Sequence, residues 1–317
     1  MASTPVGVDI AKAKFDVAVL INGKYKNKSF QNSSSGFSSF VQWLQAFQEP
    51  HVCLEATGNY GEALSTHLAD AGIRVSVVNP ARIAAFAKTE LTRTKTDKGD
   101  AKLIARFCLL HQPDPWQPLP RSIRELQALV RRLDNLIEMQ QMERNRLHVA
   151  DVAIHDSLQQ MLLALNQQIE ATRQRIRDHI NNDPDLRQRR DLLDTIPGIG
   201  AATIPVLLAM LGDIARFHSA KQCVAFAGLS PAERQSGQFK GQTRLSKTGD
   251  AQLRKALYLP ALVAWKHNPV LHAFCERLKA RGKAGKAIVC AAMRKLLHII
   301  FGVLKSGTPF DPNRGLA

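Results

Sequence analysis

The sequence predicts an α/β region followed by an all-α one, and three observations carry that prediction. Short β-branched runs alternate with helical periodicity over the first hundred residues, the pattern of an α/β domain. Four prolines fall within QPDPWQPLP, residues 112–120, so no helix crosses this stretch and it reads as a semi-rigid linker. Beyond it, apolar residues recur at spacings of three and four, and the chain stays helical in pattern to its end. The expected divisions are an α/β domain at 1–111, the linker at 112–120, a helical coiled-coil arm at 121–183 and a mainly helical domain at 184–317.

Residues 6–10, 15–20 and 25–30 read as three strands. Ser35 is the expected cap of a helix carrying Phe37, Phe40, Val41, Trp43 and Leu44. Residues 51–56 form the next strand and a helix runs through Leu64 and Leu68. Residues 74–78 are a strand ended by Asn79-Pro80, and helical stretches continue to about Leu110. The order is therefore β, β, β, α, β, α, β, α. In the arm, Ile123, Leu126, Val130, Leu133 and Ile137 make one stripe, and Leu162, Leu165, Ile169, Thr172 and Ile176 a second. Such stripes serve either as the core of a helical hairpin or as a seam that pairs with another chain. Asn182-Asp183-Pro184-Asp185 breaks the arm, and apolar runs at 204–211, 253–263 and 288–303 follow among loops rich in Gly, Ser and Lys.

A chain of 317 residues has room for two or three domains. With 45% hydrophobic and 22% charged residues it is not disordered throughout. The net charge of +16 is unevenly spread: residues 1–110 carry +4, residues 111–183 carry −1 and residues 184–317 carry +13. So much positive charge in one segment favours a nucleic-acid partner over a surface kept basic only for solubility. The five cysteines, at 53, 108, 223, 275 and 290, include no C-x-x-C pair, which indicates neither a disulfide framework nor a thiolate zinc site but buried free thiols in a reducing cytoplasm. None of the ten histidines has a metal-ligand spacing. Neither a leader-like N-terminus nor a window of about 20 uninterrupted apolar residues is evident, so a soluble cytoplasmic protein is expected.

Four carboxylates stand where a plain core would want none. Asp9 interrupts the apolar strand in GVDI, and Glu55 ends another in CLEATG; burial makes an unpaired carboxylate expensive. Asp97 and Asp100, three apart in KTDKGD, project from one face at an expected helix start. Singly, each is explained as a dipole complement or a solvated strand end. Together, on two neighbouring parallel strands and a helix terminus, they suit a hard divalent cation that takes oxygen ligands, magnesium above all, with manganese able to substitute.

In the basic third region, Thr195-Ile196-Pro197-Gly198-Ile199-Gly200 before an apolar helix has the form of a helix-hairpin-helix turn. Gly198 and Gly200 would let backbone N–H groups approach a phosphate; the alternative is a tight turn that needs only glycine conformations. The loop from Ser230 to Asp250 is dense in functional groups, among them Ser236, Lys240, Arg244, Ser246 and Lys247, with Arg254 and Lys255 just beyond. A serine in such a basic loop can attack a phosphodiester, although Ser-Gly pairs are ordinarily turns. The cations are nucleic-acid contacts or solvated charges. Ser246 is a phosphate-binding or helix-capping candidate. KARGKAGK at 279–286 is either a basic loop on a phosphate backbone or a helix-to-helix turn.

The placement of Asp9, Glu55, Asp97 and Asp100 resembles the DEDD site of RuvC-type Holliday-junction resolvases with an RNase H-like fold. More specifically, GVDIAKAKFDV, LEATGNY, VVNPARIAAFA, KTDKGDAKLIA, TIPGIGAATIPVLLA, FAGLSPAERQSG and RLSKTGDAQLRKALYLPAL resemble the insertion-sequence-110 family of transposases over essentially the whole chain. The resemblance implies an N-terminal RuvC-like domain whose four acidic residues hold magnesium, and a C-terminal serine transposase domain whose nucleophile is Ser236. It further implies a DNA recombinase of a mobile element, guided by a structured noncoding bridge RNA, so that base pairing selects the sequence. Ser236 would form a covalent phosphoserine link. The family's oligomeric habit implies a homo-oligomer, dimer or tetramer, joined through the helical arm, with the half-sites supplied by one protomer or by two. Two other readings stay open from the residues: a metal-dependent resolvase-like endonuclease that uses only the acidic quartet, and a non-catalytic nucleic-acid scaffold.

Overall fold

Asn22 and Gly23 both adopt positive φ, 48° and 77°, the backbone of a two-residue hairpin turn that an Asn-Gly pair favours. They join β2 (Lys14–Ile21) to β3 (Lys24–Gln31). With β1 (Thr4–Ile10), β4 (Pro50–Glu55) and β5 (Arg74–Val78) these strands make a five-stranded mixed sheet in the order β3-β2-β1-β4-β5. The first three strands are antiparallel, while β1, β4 and β5 run parallel. The helices between them are α1 (Ser34–Leu44), α2 (Asn59–Asp70), α3 (Pro80–Thr89) and α4 (Asp97–His111). This computed structural model describes residues 3–56, 59–90, 97–232, 235–236, 239–240 and 244–313, in two compact units, Met1–Pro118 and Leu119–Ala317.

Period-two alternation divides the sheet's residues between its faces. Val6, Val8, Phe15, Val17, Val19, Val52 and Leu54 face Phe37, Phe40 and Leu44 of α1 and Leu64 and Leu68 of α2. The other face is different in kind. Gly7, Asp9, Asp16, Ala18, His51, Cys53, Glu55 and Ser76 share it by register, and α4 lies on it. A Cβ added to Gly7 would sit 2.1 Å from the Ala101 carbonyl oxygen and 2.2 Å from the Ala105 nitrogen. Glycine is thus required for this close approach of helix to strand, and Ala18, Ala101 and Ala105 complete the small-residue contact.

The cap of α1 is Ser33 rather than Ser35: Ser33 Oγ accepts from the Gly36 amide at 3.3 Å. The proline-rich stretch is non-helical, as its composition predicts. It is also tied to the sheet, for the Trp116 amide donates to Val75 O at 2.7 Å and Ser76 Oγ donates to the carbonyls of Pro113 and Asp114.

The second unit begins with α5 (Arg121–Val149) and α6 (His155–Asn182), which pack along one another. Twenty-nine residues make α5 about 43 Å long. Ile123, Leu126 and Val130 of α5 and Ile176 and Ile180 of α6 are buried in the unit's main core. Leu136, Leu165 and Ile169 form a smaller cluster farther along. The predicted stripes are therefore spent inside the hairpin, with Leu136 taking the place expected of Ile137, which is exposed. What the distal arm leaves exposed is Met142, Val149, Val152, Ile154, Met161 and Leu163.

Asp183 Oδ1 accepts from the amides of Asp185 and Leu186 and so caps α7 (Pro184–Asp194). Around the core follow α8 (Ile204–Leu211), α9 (Ala220–Phe226), α10 (Ala251–Ala256), α11 (Tyr258–His267), α12 (Pro269–Ala280) and α13 (Gly285–Ser306). KARGKAGK spans the turn at 281–284 with the end of α12 and the start of α13. In length and hydropathy α13 matches a membrane span, but Ile288, Val289, Ala292, Met293, Leu296, Leu297, Ile300 and Val303 build the core of this unit. The region is not wholly helical. Four two-residue strands, β6 (Pro231–Ala232), β7 (Gln235–Ser236), β8 (Phe239–Lys240) and β9 (Arg244–Leu245), pair as β6 with β9 and β7 with β8.

Candidate active site

Asp9 lies one step beyond the Val8–Leu54 register pair, on the same sheet face as Glu55, the last residue of β4. Both are half-buried. The direction of α4 decides what meets them. Gly7 touches Ala101 and Ala105, whereas Cys108 Sγ donates to His51 O at 3.4 Å, nearer the start of β4. The helix therefore runs against β1 and β4, and its first turn stands over the strand ends that carry Asp9 and Glu55. Asp97 opens that turn, its side chain lying outside the described residues, and Asp100 in the same turn is half-buried. The backbone thus directs Asp9, Glu55 and the first turn of α4 to one edge of the sheet. Among the described residues, which leave out the Asp97 side chain, these carboxylates do not converge closely enough to form a ready ion site.

Asp16 is a third acid on this sheet face, and the sequence reading passed over it. It stands opposite Asp9 in the β1–β2 register and is 4% exposed. Lys14 Nζ, at 2.8 Å, and Ser29 Oγ both bond it. A lysine and a hydroxyl compensate its charge, as burial demands. The signal was available: in 15–20 Asp16 occupies the alternation opposite to Phe15, Val17 and Val19.

In the second unit, Ser236 closes β7 with Phe239 as its register partner. Its side chain, like those of Lys240 and Arg244, lies outside the described residues. The base of its loop is held firmly. Ser246 N donates to Ser230 O at 2.9 Å, Lys247 N to Gly228 O at 3.2 Å and Asp250 N to Phe226 O at 2.7 Å. FAGLSP and LSKTGD are consequently two sides of one backbone clamp. Gly249 fits there because a Cβ would lie 2.4 Å from Phe226 O, and Lys247 itself has φ of 55°. Arg254 Nη1 donates to Ala227 O at 3.1 Å and Lys247 O at 3.4 Å, which fastens the clamp to α10. Asp250, not Ser246, caps α10, accepting from the Leu253 amide at 2.7 Å. Lys247 and Lys255 are exposed, the latter 3.9 Å from Glu138 of α5.

The two glycines of the 195–200 turn differ. Gly198 has φ of 101°, and a Cβ on it would sit 2.6 Å from Ala264 Cβ of α11, so packing within the chain accounts for it. Gly200 is exposed to open space. Beside it a cleft of about 270 Å³ is lined by Arg177, Asn181, Arg190, Ala201 and Pro205, among others. Arg177 and Arg190 come from α6 and α7, and their convergence was invisible in a linear motif.

Known proteins match both parts. Residues 6–150 match the DEDD transposase profile of the IS110 group, and residues 190–276 match the profile described as transposase, IS116/IS110/IS902 family. The chain is 36% identical to the pilin gene-inverting protein of Moraxella bovis, over 98% of each chain. It is 24% identical to the transposase of the insertion sequence element IS1328 of Yersinia enterocolitica, over 97% of this chain and 98% of that one. An insertion element IS110 protein of Streptomyces coelicolor is 26% identical over 61% of this chain and 46% of its own length. With relatives above 30% identity over nearly their full length, and with two profiles of one group covering both parts, the chain belongs to the IS110 family of transposases, enzymes that cut and rejoin DNA.

Proposed function

We propose that this transposase is an RNA-guided DNA recombinase that exchanges strands through a phosphoserine at Ser236, assisted by an acidic site in its N-terminal unit. The observation that carries the reading is the gathering of Asp9, Glu55 and the first turn of α4 at one sheet edge. The strand order, with three antiparallel strands followed by two more parallel to the first, supports an RNase H-like, RuvC-like domain. Asp9, Glu55, Asp97 and Asp100 would hold magnesium, or manganese in its place. When bound, such an ion polarises the oxygens of a phosphodiester and offsets their charge.

The serine's part follows from its chemistry. Ser236 Oγ bonds to phosphorus as the bond to one DNA oxygen breaks; the serine proton passes to that oxygen, which leaves as a hydroxyl, and the phosphodiester energy is kept for rejoining. Lys240, Arg244, Lys247 and Lys255 stabilise the phosphate charge and hold backbone, joined by the Gly200 turn with Arg177 and Arg190. Gly198, Ser246 and Arg254 support these groups by shaping the two turns. Charge of this kind binds RNA and DNA backbones without reading bases, which leaves sequence choice to a structured guide RNA. The exposed apolar tip of the arm, Val149, Val152 and Ile154 at its centre, joins protomers into a homo-oligomer. The setting is the bacterial cytoplasm, on the nucleoid.

The test is cleavage of element-end DNA by purified protein with RNA transcribed from the element's flanks. Cleavage is expected to need both the RNA and a divalent ion, and to fall at least about 100-fold in Asp9→Asn. Cleavage that proceeds without RNA, or undiminished in Asp9→Asn, would overturn the reading.

A further inference from the structure

We propose that His51, Cys53 and Cys108 form a second metal site, soft where the first is hard, that takes zinc and braces α4 against β4. Alternation along β4 places His51 and Cys53 on one face, and α4 brings Cys108 over them. The three are 1%, 0% and 1% exposed, and their ligand atoms all lie within 4.8 Å of one another. Cys53 Sγ is 4.0 Å from His51 Nε2. Zinc bonds of about 2.0–2.3 Å to nitrogen and sulfur in a tetrahedron require ligands about 3.5–3.8 Å apart, so small side-chain movements close the set.

A fourth donor is at hand. Ser76 Oγ is 2.7 Å from His51 Nε2 and gives its proton to the Pro113 and Asp114 carbonyls, at 2.9 and 2.8 Å. Its lone pairs therefore face the cluster. Two thiols and one imidazole suit a thiophilic ion such as zinc and suit magnesium poorly. Binding releases both thiol protons and moves the imidazole N–H from Nε2 to Nδ1. Because the three ligands are almost fully buried, the ion enters as the domain folds.

The position gives the site a purpose. Cys53 is two residues before Glu55 on the same face, and Cys108 shares α4 with Asp97 and Asp100. An ion that joins Cys53 to Cys108 fixes the spacing between the strand carboxylates and those of the helix. This extends the recombinase reading without resting on it, because its test measures metal and not DNA.

Full-length protein, unfolded in reductant and refolded with zinc, is desalted and assayed for metal content. A parallel sample refolded with cobalt is read by absorption. One zinc per chain is expected, together with thiolate-to-cobalt charge transfer and the strong ligand-field bands of a four-coordinate site. Cys53→Ser and Cys108→Ser should each lose these signals, and Cys290→Ser should keep them. Thermal stability should rise with zinc in wild type and not in Cys108→Ser. Should the serine variants fail to fold, wild type alone decides. No retained zinc, a cobalt spectrum without thiolate bands, or an isolated Cys53–Cys108 disulfide in its place overturns the proposal.

Discussion

Replacing Gly7 by alanine tests how the acidic site is built. The new Cβ would meet Ala101 O at 2.1 Å and Ala105 N at 2.2 Å, where ordinary contact begins at 3.4 Å. Both are backbone atoms of α4, so no rotamer relieves the clash, and the helix must retreat by about 1.3 Å. Overpacking of this kind costs about 1–3 kcal/mol. If the proposed acidic site is the catalytic one, the functional cost is larger, because Asp97 and Asp100 ride on α4 whereas Asp9 is two residues from Gly7 on the strand. A displacement of about 1 Å within a catalytic constellation slows reaction about 100-fold. Urea unfolding and the rate of divalent-dependent DNA cleavage measure the two effects. Gly23→Ala is the control: its φ is 77° with nothing within 4 Å, so it costs about 1–2 kcal/mol and leaves the cleavage rate of the folded protein unchanged. A Gly7→Ala enzyme with wild-type rate and wild-type midpoint would refute the close packing and the placement of the site beneath α4.

Three further outcomes are expected. Gly198→Ala must hold φ of 101° against Ala264 and should destabilise the second unit by about 2–5 kcal/mol, as read by denaturant unfolding; an unchanged midpoint would show that Gly198 is not a packing residue. Asp183→Ala loses the α7 cap, about 1 kcal/mol at neutral pH. The Asp183 carboxyl is held below its usual range, first by the Leu186 amide, so its contribution is present above about pH 4 and is lost as pH falls through the depressed folded value. Unfolding curves of wild type and variant should therefore converge at low pH, and a constant gap would contradict the cap's titration. Lys255→Ala should alter stability by no more than about 0.5 kcal/mol while lowering the salt dependence of DNA binding by about one phosphate contact. An unchanged salt slope would remove Lys255 from the interface.

Most of the first unit was legible in the sequence because β-rich runs alternate with helical periodicity and the strand at 74–78 ends in Asn79-Pro80. Asp9 and Glu55 stand out in the sequence for a related reason: charge inside GVDI and CLEA conflicts with burial. What escaped depended on partners distant in the chain. Asn32-Ser33-Ser34-Ser35 offers several hydroxyl caps, and only the packing of α1 selects Ser33. Nothing local says that Gly7 is small for the sake of Ala101. In the arm, spacings of three and four from Leu133 lead equally to Leu136 and Ile137, and only α6 decides between them. Two-residue strands such as β7 and β8 carry no periodicity at all. Cysteine spacing gave no sign of the His51, Cys53 and Cys108 cluster because it considers local pairs, whereas Cys53 and Cys108 meet only when α4 lies on β4. Gly198 and Gly200 read as one motif, yet one is committed to α11 and the other is open.

The most direct test of the central claim is denaturing electrophoresis of labelled element-end DNA after incubation with protein, guide RNA and magnesium. Wild type should yield DNA covalently attached to protein. Ser236→Ala should yield none, and Asp9→Asn should yield far less. Free cleaved ends that persist in Ser236→Ala and disappear in Asp9→Asn would contradict the phosphoserine mechanism and leave a metal-dependent nuclease in its place.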